Sequence, residues 1–249
     1  MLNTDMSKYS IITLDDVHST NSYAIENATF FNDRDVIFSK HQSSGRGRYN
    51  RKWISDETEN IYMSIVLKPK NINDYPFTNL TQYLSVTICR FLENEFQLSP
   101  KIKWPNDILI DNHKISGILA ESYMENNQIK AVILGLGLNV NLKQQTIDKI
   151  DQKATSLFVL KGQNYNPEIL INKICDLFFE NYDFFTEKGF DFIKQDYIKR
   201  CDFLGKHITI SENSEKKQYF AKAIDDNGLL AVTDDFNNES KIITGDVLC

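Results

Sequence analysis

Four cations, Arg46, Arg48, Arg51 and Lys52, fall within seven residues of a chain whose net charge is −6. They belong to the stretch Ser43-Ser44-Gly45-Arg46-Gly47-Arg48-Tyr49-Asn50-Arg51-Lys52-Trp53. Gly45 and Gly47 let the backbone turn sharply and bring its N–H groups close to a ligand. Each arginine presents a planar fork of donors that suits a carboxylate or a phosphate, and Trp53 adds a flat face for a base or ring. Such a loop suits closure over an anionic, partly aromatic ligand, kept mobile by its own charge until that ligand arrives. A solvated basic loop with a core tryptophan would read the same way, and the stretch alone does not choose. It lacks the third glycine and following helix of a dinucleotide fingerprint, and no Gly-Lys-Ser/Thr follows as in a P-loop.

Other candidates are spread along the chain. Ser19-Thr20-Asn21 stand where a helix should begin. Ser19 or Thr20 can cap it, and the three short polar side chains can equally serve a small polar ligand. Gln42 follows the β-rich run 36–40 that delivers the chain to the Gly/Arg loop. In Lys103-Trp104-Pro105-Asn106-Asp107 the proline removes a backbone donor and breaks the strand, which puts Asn106 and Asp107 in a turn. Asp107 is then a turn residue or a catalytic carboxylate. Lys114 opens a strand, where a lone lysine is by default solvated. Over 134–142, Leu134, Leu136, Leu138, Val140 and Leu142 share one face of a strand, and Gly135, Gly137, Asn139 and Asn141 the other. Bare backbone and two carboxamides suit close approach by a flat polar ligand such as a nucleobase; they equally suit a bulge or an edge strand.

The elements that must position these residues are legible in outline. Short strands are expected at 11–14 and 61–67, the latter ended by Lys68-Pro69. Leu80, Leu84, Ile88, Leu92 and Phe96 recur every fourth residue and predict an amphipathic helix between Pro76 and Pro100. Asp111-Asn112-His113 reads as a hairpin turn between strands at 107–110 and 114–121. Thr155-Ser156 lies in a polar connector. Asn166-Pro167 opens a helix whose buried stripe is Leu170, Ile174, Leu177, Phe178 and Phe185, ended by Gly189, and a second helix is expected at about 190–200. From Gly205 the pattern becomes short strands at 207–211, 218–224, 229–233 and 241–244, with a strong turn signal at Asp225-Asp226-Asn227-Gly228. Two domains are expected, 1–200 and a small all-β module at 201–249.

Length and composition narrow the class. A chain of 249 residues can bury a sizeable core. Lys and Arg total 28 against 34 Asp and Glu, which argues against a general nucleic-acid binder with its broad basic face. The polar start, Met1 to Met6, is not expected to be a signal peptide, and no run approaches the roughly 20 apolar residues of a membrane span. Cys89, Cys175, Cys201 and Cys249 are scattered without a C-x-x-C pair, so core or incidental thiols are expected, with neither disulfides nor zinc. The four histidines are isolated. A soluble cytoplasmic protein is the expectation.

Five segments taken in order resemble the biotin protein ligases (biotin–acetyl-CoA-carboxylase ligases). They are Ser19-Thr20-Asn21, Gln42-x-x-Gly45-Arg46-Gly47-Arg48-x-x-Arg51-x-Trp53, Lys103-Trp104-Pro105-Asn106-Asp107, Lys114-Ile115-Ser116-Gly117-Ile118-Leu119-x-Glu121 and Gly135-x-Gly137-x-Asn139. The resemblance implies an α+β fold: a mixed sheet with packed helices, like the class II synthetase and biotin–lipoate ligase catalytic domains, plus a C-terminal SH3-like β-barrel. Some bacterial members begin with a winged helix-turn-helix. Here about ten residues precede the first expected strand, so a ligase without the repressor role is implied.

The implied chemistry has two steps. Biotin carboxylate attacks the α-phosphate of Mg-ATP to give biotinyl-5′-AMP, and a carrier-protein lysine then takes the biotinyl group. By resemblance, Ser19, Thr20 and Gln42, with backbone of the Gly45–Gly47 loop and Asn21 beside them, bind the biotin ureido ring. Arg46 and Arg48 wrap biotin and phosphate, Arg51 assists, and Lys114 neutralises the biotin carboxylate beside the α-phosphate. Trp53 walls the adenine and Asn139 reads its edge. Asp107 is assigned to Mg²⁺ or to the carrier lysine's proton. Implied partners are biotin, ATP with Mg²⁺ and a biotin carboxyl carrier protein, with no tightly bound metal, no DNA and no membrane; a homodimer is left open. Two alternatives remain: a lipoate or octanoate ligase on the same fold, and a noncatalytic nucleotide-binding module.

Overall fold

The computed structural model describes residues 8–55, 59–70, 77–212 and 215–248. Met1 to Met6, Pro76 and Cys249, read above, lie outside them. β1 (Ser10–Val17) and β2 (Asp35–Gln42) pair in parallel, which demands a crossover, and the short helix α1 (Thr20–Glu26) supplies it. β3 (Ile61–Leu67) runs antiparallel to β2. After α2 (Phe77–Phe96), the strands β4 (Lys101–Lys103), β5 (Asp107–Ile110), β6 (His113–Glu125) and β7 (Gln128–Leu138) form an antiparallel meander that returns β7 to β3. The resulting seven-stranded order is β1-β2-β3-β7-β6-β5-β4.

α2 is more deeply placed than an amphipathic pattern implies. Every residue from Asn79 to Cys89 is buried, because the sheet covers one side and later helices the other. Ser85 and Thr87 meet this burial by donating to the carbonyls of Thr81 and Tyr83, one turn back. The far face of the sheet has a smaller core, where Ala24 of α1 packs on Ile37, Val66, Ala131 and Ile133. That second covered face explains a missed boundary: Ala131 to Leu136 are all buried, so the strand begins at Gln128 without alternation to announce it. It ends at Leu138 rather than at residue 142. Asp107 opens β5 instead of sitting in the turn before it.

The helices α3 (Gln144–Ile147) and α4 (Leu157–Lys161) follow, the latter capped by Ser156, whose Oγ accepts from the Val159 N–H at 3.1 Å. The expected helix through Phe185 is two: α5 (Pro167–Glu180) and α6 (Tyr182–Lys188), separated at Asn181 (φ −121°, ψ 9°). The expected 190–200 helix is a 3-10 turn at Gly189–Phe192 followed by α7 (Lys194–Ile198).

The C-terminal strands β8 (His207–Glu212), β9 (Glu215–Ile224), β10 (Leu230–Thr233), β11 (Glu239–Ile242) and β12 (Asp246–Leu248) form an antiparallel sheet in the order β11-β10-β9-β8-β12. It is consistent with an SH3-like domain, but its end strands do not pair with each other, so the expected closed barrel is replaced by an open sheet. The Asp225–Gly228 turn forms with Gly228 at φ 79°, and Gln82 Nε2 of α2 donates to the Gly228 carbonyl at 2.7 Å, tying this sheet to the larger one. Cys89, Cys175 and Cys201 are buried free thiols, and burial pushes all three up, that of Cys175 to about 12. Among the described residues no helix is long and apolar enough to cross a membrane.

A charged cluster joins α2 to the end of α7. Arg200 is buried and pairs with Asp196 and, at 2.6 Å, with Glu93; Arg90 Nε reaches Asp196 at 2.7 Å. Burial alone would raise the Asp196 carboxyl, but hydrogen bonds from Lys199 and Arg200 outweigh it and hold the group at about 2 instead of 3.8. A carboxyl depressed on folding stabilises fully above its unfolded value, and that contribution fades as pH falls through the folded value. Asp196→Asn should therefore cost about 2 kcal/mol at neutral pH, with the gap to wild type closing between about pH 4 and pH 2. Urea unfolding across that range is the check; a gap independent of pH would refute the assignment.

Candidate active site

Ser19, extended at φ −161°, caps α1 and places Thr20 and Asn21 on its buried side against β3 and β7. The Thr20 N–H donates to Gln42 Oε1 at 2.8 Å, and Thr20 Oγ1 lies 3.2 Å from the same oxygen. Ser64 Oγ of β3 sits 2.8 Å from Thr20 Oγ1 and 2.6 Å from Asn21 Oδ1, and its single proton serves one of them at a time. Asn21 Nδ2 donates to the Leu119 carbonyl at 3.1 Å and to Glu121 Oε2 at 2.9 Å. Gly135 makes room for this: a Cβ there would fall 2.3 Å from Asn21 Oδ1.

Beyond Gln42 the chain doubles back as a small hairpin. The Gly47 N–H donates to the Arg51 carbonyl at 2.7 Å and the Trp53 N–H to the Gly45 carbonyl at 2.9 Å, with Arg46 opposite Lys52. A 3-10 turn at Arg48–Asn50 makes the tip. Gly45 is required by crowding, since a Cβ would lie 2.5 Å from Ser55 Oγ. The Trp53 indole rests on a bare patch of sheet where Gly117 and Gly137 face each other across β6 and β7. Cβ atoms there would come within 2.9 and 2.6 Å of the ring. Trp53 Nε1 is buried with no hydrogen-bond partner among the described residues, a donor that an incoming acceptor would satisfy.

The three arginines of the hairpin and Lys114 are matched by carboxylates of the chain itself. Arg46 Nη2 reaches both oxygens of Glu121 at 3.0 and 2.8 Å. Arg48 Nη1 reaches Asp246 Oδ1 at 2.8 Å and the Gly245 carbonyl at 3.0 Å, and Arg51 pairs with Asp246 Oδ2. Lys114 Nζ lies 2.7 Å from Asp107 Oδ1 and 5.2 Å from the Trp53 ring centroid; both charged side chains are mostly buried. The expectation of uncompensated charge in this loop is corrected: its arginines already have counter-ions.

Ser19, Thr20, Asn21, Gln42, Arg46, Gly47, Arg48, Arg51, Trp53, Asp107 and Lys114 line one cavity of about 500 Å³, together with Gly135, Gly137 and residues 149–152. Gly45 and Asn139 are not brought to its wall. The Asn139 carboxamide donates to the Thr155 carbonyl at 2.9 Å, and that of Asn141 to the carbonyls of Glu59 and Tyr165. Sequence reasoning gave no part to Asn106 or Asp246, which also line the cavity, or to Glu121 and Ser64, which brace its polar wall. Asn106 and Glu121 were inside quoted segments; Asp246 left no local signal. Among the described residues no cluster of His, Cys, Asp or Glu could hold a metal ion, and the Asp107 carboxylate is taken up by Lys114.

A wall of hydroxyls and amides beside Arg46, Arg48, Arg51 and Lys114 suits a polar ligand that carries negative charge. Residues 14–139 match the family model described as the biotin/lipoate A/B protein ligase family. The chain is similar to the bifunctional ligase/repressor BirA of Bacillus spizizenii, 31% identical over 236 residues that cover 92% of this chain and 71% of that one. It is also similar to the biotin–[acetyl-CoA-carboxylase] ligase of Paracoccus denitrificans, at 25% over 221 residues, 85% and 89% of the two chains. Its fold superposes on the biotin protein ligase of Aquifex aeolicus in complex with biotin and ATP, with a TM-score of 0.81 and 24% identity over 96% and 97% of the two chains. The chain belongs to the biotin/lipoate A/B protein ligase family.

Proposed function

We propose that the chain is a biotin protein ligase, which adenylates biotin with ATP and transfers the biotinyl group to a lysine of a biotin carboxyl carrier protein. One observation carries this reading: a single cavity joins the Ser19, Thr20, Asn21 and Gln42 cluster to Arg46, Arg48, Arg51 and Lys114. Ligase relatives named for biotin support the choice of acid.

The first step brings two anions together, so charge neutralisation and positioning carry it. Ser19, Thr20 and Gln42 offer the ureido ring its donors and acceptors. Lys114 neutralises the biotin carboxylate as it meets the α-phosphate, and Asp107 aims its ammonium. Arg46, Arg48 and Arg51 take the phosphates, and Trp53 supplies the adenine wall. Among the described residues no group of three or more His, Cys, Asp or Glu could hold a metal by itself, so Mg²⁺ would enter with ATP, held chiefly by the phosphates, with Asp107, now paired with Lys114, as the one carboxylate of the cavity assigned to assist it. In the second step Asp107 is the carboxylate placed to accept the carrier lysine's proton. The small C-terminal module, taken from residue 201, completes the cavity through Asp246. Only the ligase half of the Bacillus relative's name is adopted here, with no DNA partner. A cytoplasmic setting is part of the proposal, supported by the free thiols and the demand for ATP.

Pyrophosphate exchange into ATP with biotin as the only added acid is the direct test. Exchange with lipoate but not biotin would move the chain to the other branch of its family, and exchange with neither would make it a binding module. Gly137→Ala should weaken ATP binding by ~10-fold or more, since the added methyl displaces the Trp53 ring at a cost of ~1–3 kcal/mol. Titration calorimetry giving wild-type affinity would remove Trp53 from the nucleotide wall.

A further inference from the structure

One carboxylate carries both ion pairs that tie the tip of the Gly/Arg hairpin to the C-terminal sheet. Asp246 opens β12, where it pairs with Ser211 of β8, and it lines the cavity with only 14% of its side chain exposed. Its two oxygens divide between Arg48 and Arg51. Around it the contact is reinforced. Arg48 Nη1 also donates to the Gly245 carbonyl, Tyr49 OH lies 2.8 Å from Thr244 Oγ1, and both guanidinium groups stand over the Tyr49 ring at 4.9 and 5.7 Å.

Each N–H of a guanidinium serves one strong acceptor, and a phosphate brought against the N–H groups that Asp246 occupies would meet like-charge repulsion from its carboxylate. On the reading proposed above, these arginines serve the phosphates of ATP. The carboxylate and the phosphate then compete for the same donors, and binding is an exchange.

We propose that Asp246 is a built-in competitor of the nucleotide phosphate: it occupies Arg48 and Arg51 at the cavity in the free protein and yields them to the incoming phosphate. The inference rests on the ligase reading for the identity of the phosphate, and on geometry alone for the hold. It predicts opposite signs for two consequences of one change. Asp246→Asn keeps shape and one acceptor but drops the charge. Without ligand, trypsin should cut the hairpin after Arg48 and Arg51 roughly tenfold faster, because cleavage follows the population of the released tip. ATP should nevertheless bind several-fold tighter, because a larger fraction of the protein has its arginines free. Asp246→Glu should restore the slow cleavage.

A merely structural ion pair would also speed cleavage, but would leave ATP affinity unchanged or lower it, and that result overturns the proposal. Unchanged cleavage overturns it as well. Inorganic tripolyphosphate, run beside ATP, keeps the two readings apart. If wild type binds tripolyphosphate but not ATP, the ligase reading fails, while tighter tripolyphosphate binding by Asp246→Asn still supports the exchange. Should that variant fail to fold, hydrogen exchange on the wild-type chain decides: adding ATP or tripolyphosphate should speed exchange of the Thr244 and Gly245 amides. No change there would overturn the hand-over.

Discussion

Lys114→Ala is expected to lower biotin-dependent pyrophosphate exchange by ~100-fold or more, while moving the unfolding free energy by only about 1 kcal/mol. The argument starts from where the ammonium is held. Lys114 lies near the start of β6, its N–H donates to the Lys153 carbonyl and the Thr155 N–H donates back to its own carbonyl, so the backbone is pinned on both sides. Its Nζ is then aimed across Gly117 to Asp107, over the Trp53 ring, mostly buried at the wall of the cavity. A cation fixed there meets developing negative charge without having to reorganise, which is where one electrostatic partner is worth most. Truncation leaves the Asp107 carboxylate without its partner, but the cavity beside it admits water, so the loss to stability stays small. Single-turnover adenylation and urea unfolding on the same preparation separate the two effects. A near-normal rate would return Lys114 to an ordinary solvated lysine, and a collapse of stability would make it structural.

Arg48→Gly is expected to keep forming adenylate, more slowly, and to release it ~10-fold or more faster than wild type. Biotinyl-AMP is a reactive mixed anhydride, so a ligase must retain it until the carrier lysine arrives. Arg48 is the residue of the hairpin tip that reaches Asp246, the Gly245 carbonyl, and Asn106 at 3.4 Å. Glycine preserves the chain's capacity to turn and removes every one of these contacts, together with the cation that would bridge the phosphate. Escaped adenylate acylates whatever lysine it meets. A reaction containing both carrier and albumin, blotted with streptavidin, reports the leak as labelled albumin. Unlabelled albumin beside a normally biotinylated carrier would show that retention does not depend on Arg48.

Much of the site was legible from residue types over short spans. The Gly/Arg stretch was readable as a set of contiguous donors, and the main-chain bonds that close its hairpin lie within residues 45–53. Ser19 was readable as a cap from its neighbours, and the Asp225–Gly228 turn from its own four residues. The Gly135 and Gly137 alternation correctly exposed bare backbone on one face of β7, because side-chain direction along a strand is set by the strand itself.

The tertiary structure decided who faces whom. The same alternation carried Asn139 and Asn141 along as ligand groups, yet the strand stops at Leu138 and both carboxamides are consumed by backbone carbonyls. Asp107 looked free to bind a metal until β5 and β6 paired and set Lys114 against it. β12 was not foreseen at all, and with it went Asp246. The chain has 34 acids, and nothing local marks Glu121 or Asp246 as the ones that meet Arg46, Arg48 and Arg51. The reason is physical: a side chain's chemistry and its strand or helix face are local properties, whereas an ion pair depends on a separation of a few ångströms in space. For residues 198 positions apart, that separation exists only after both sheets have formed and packed.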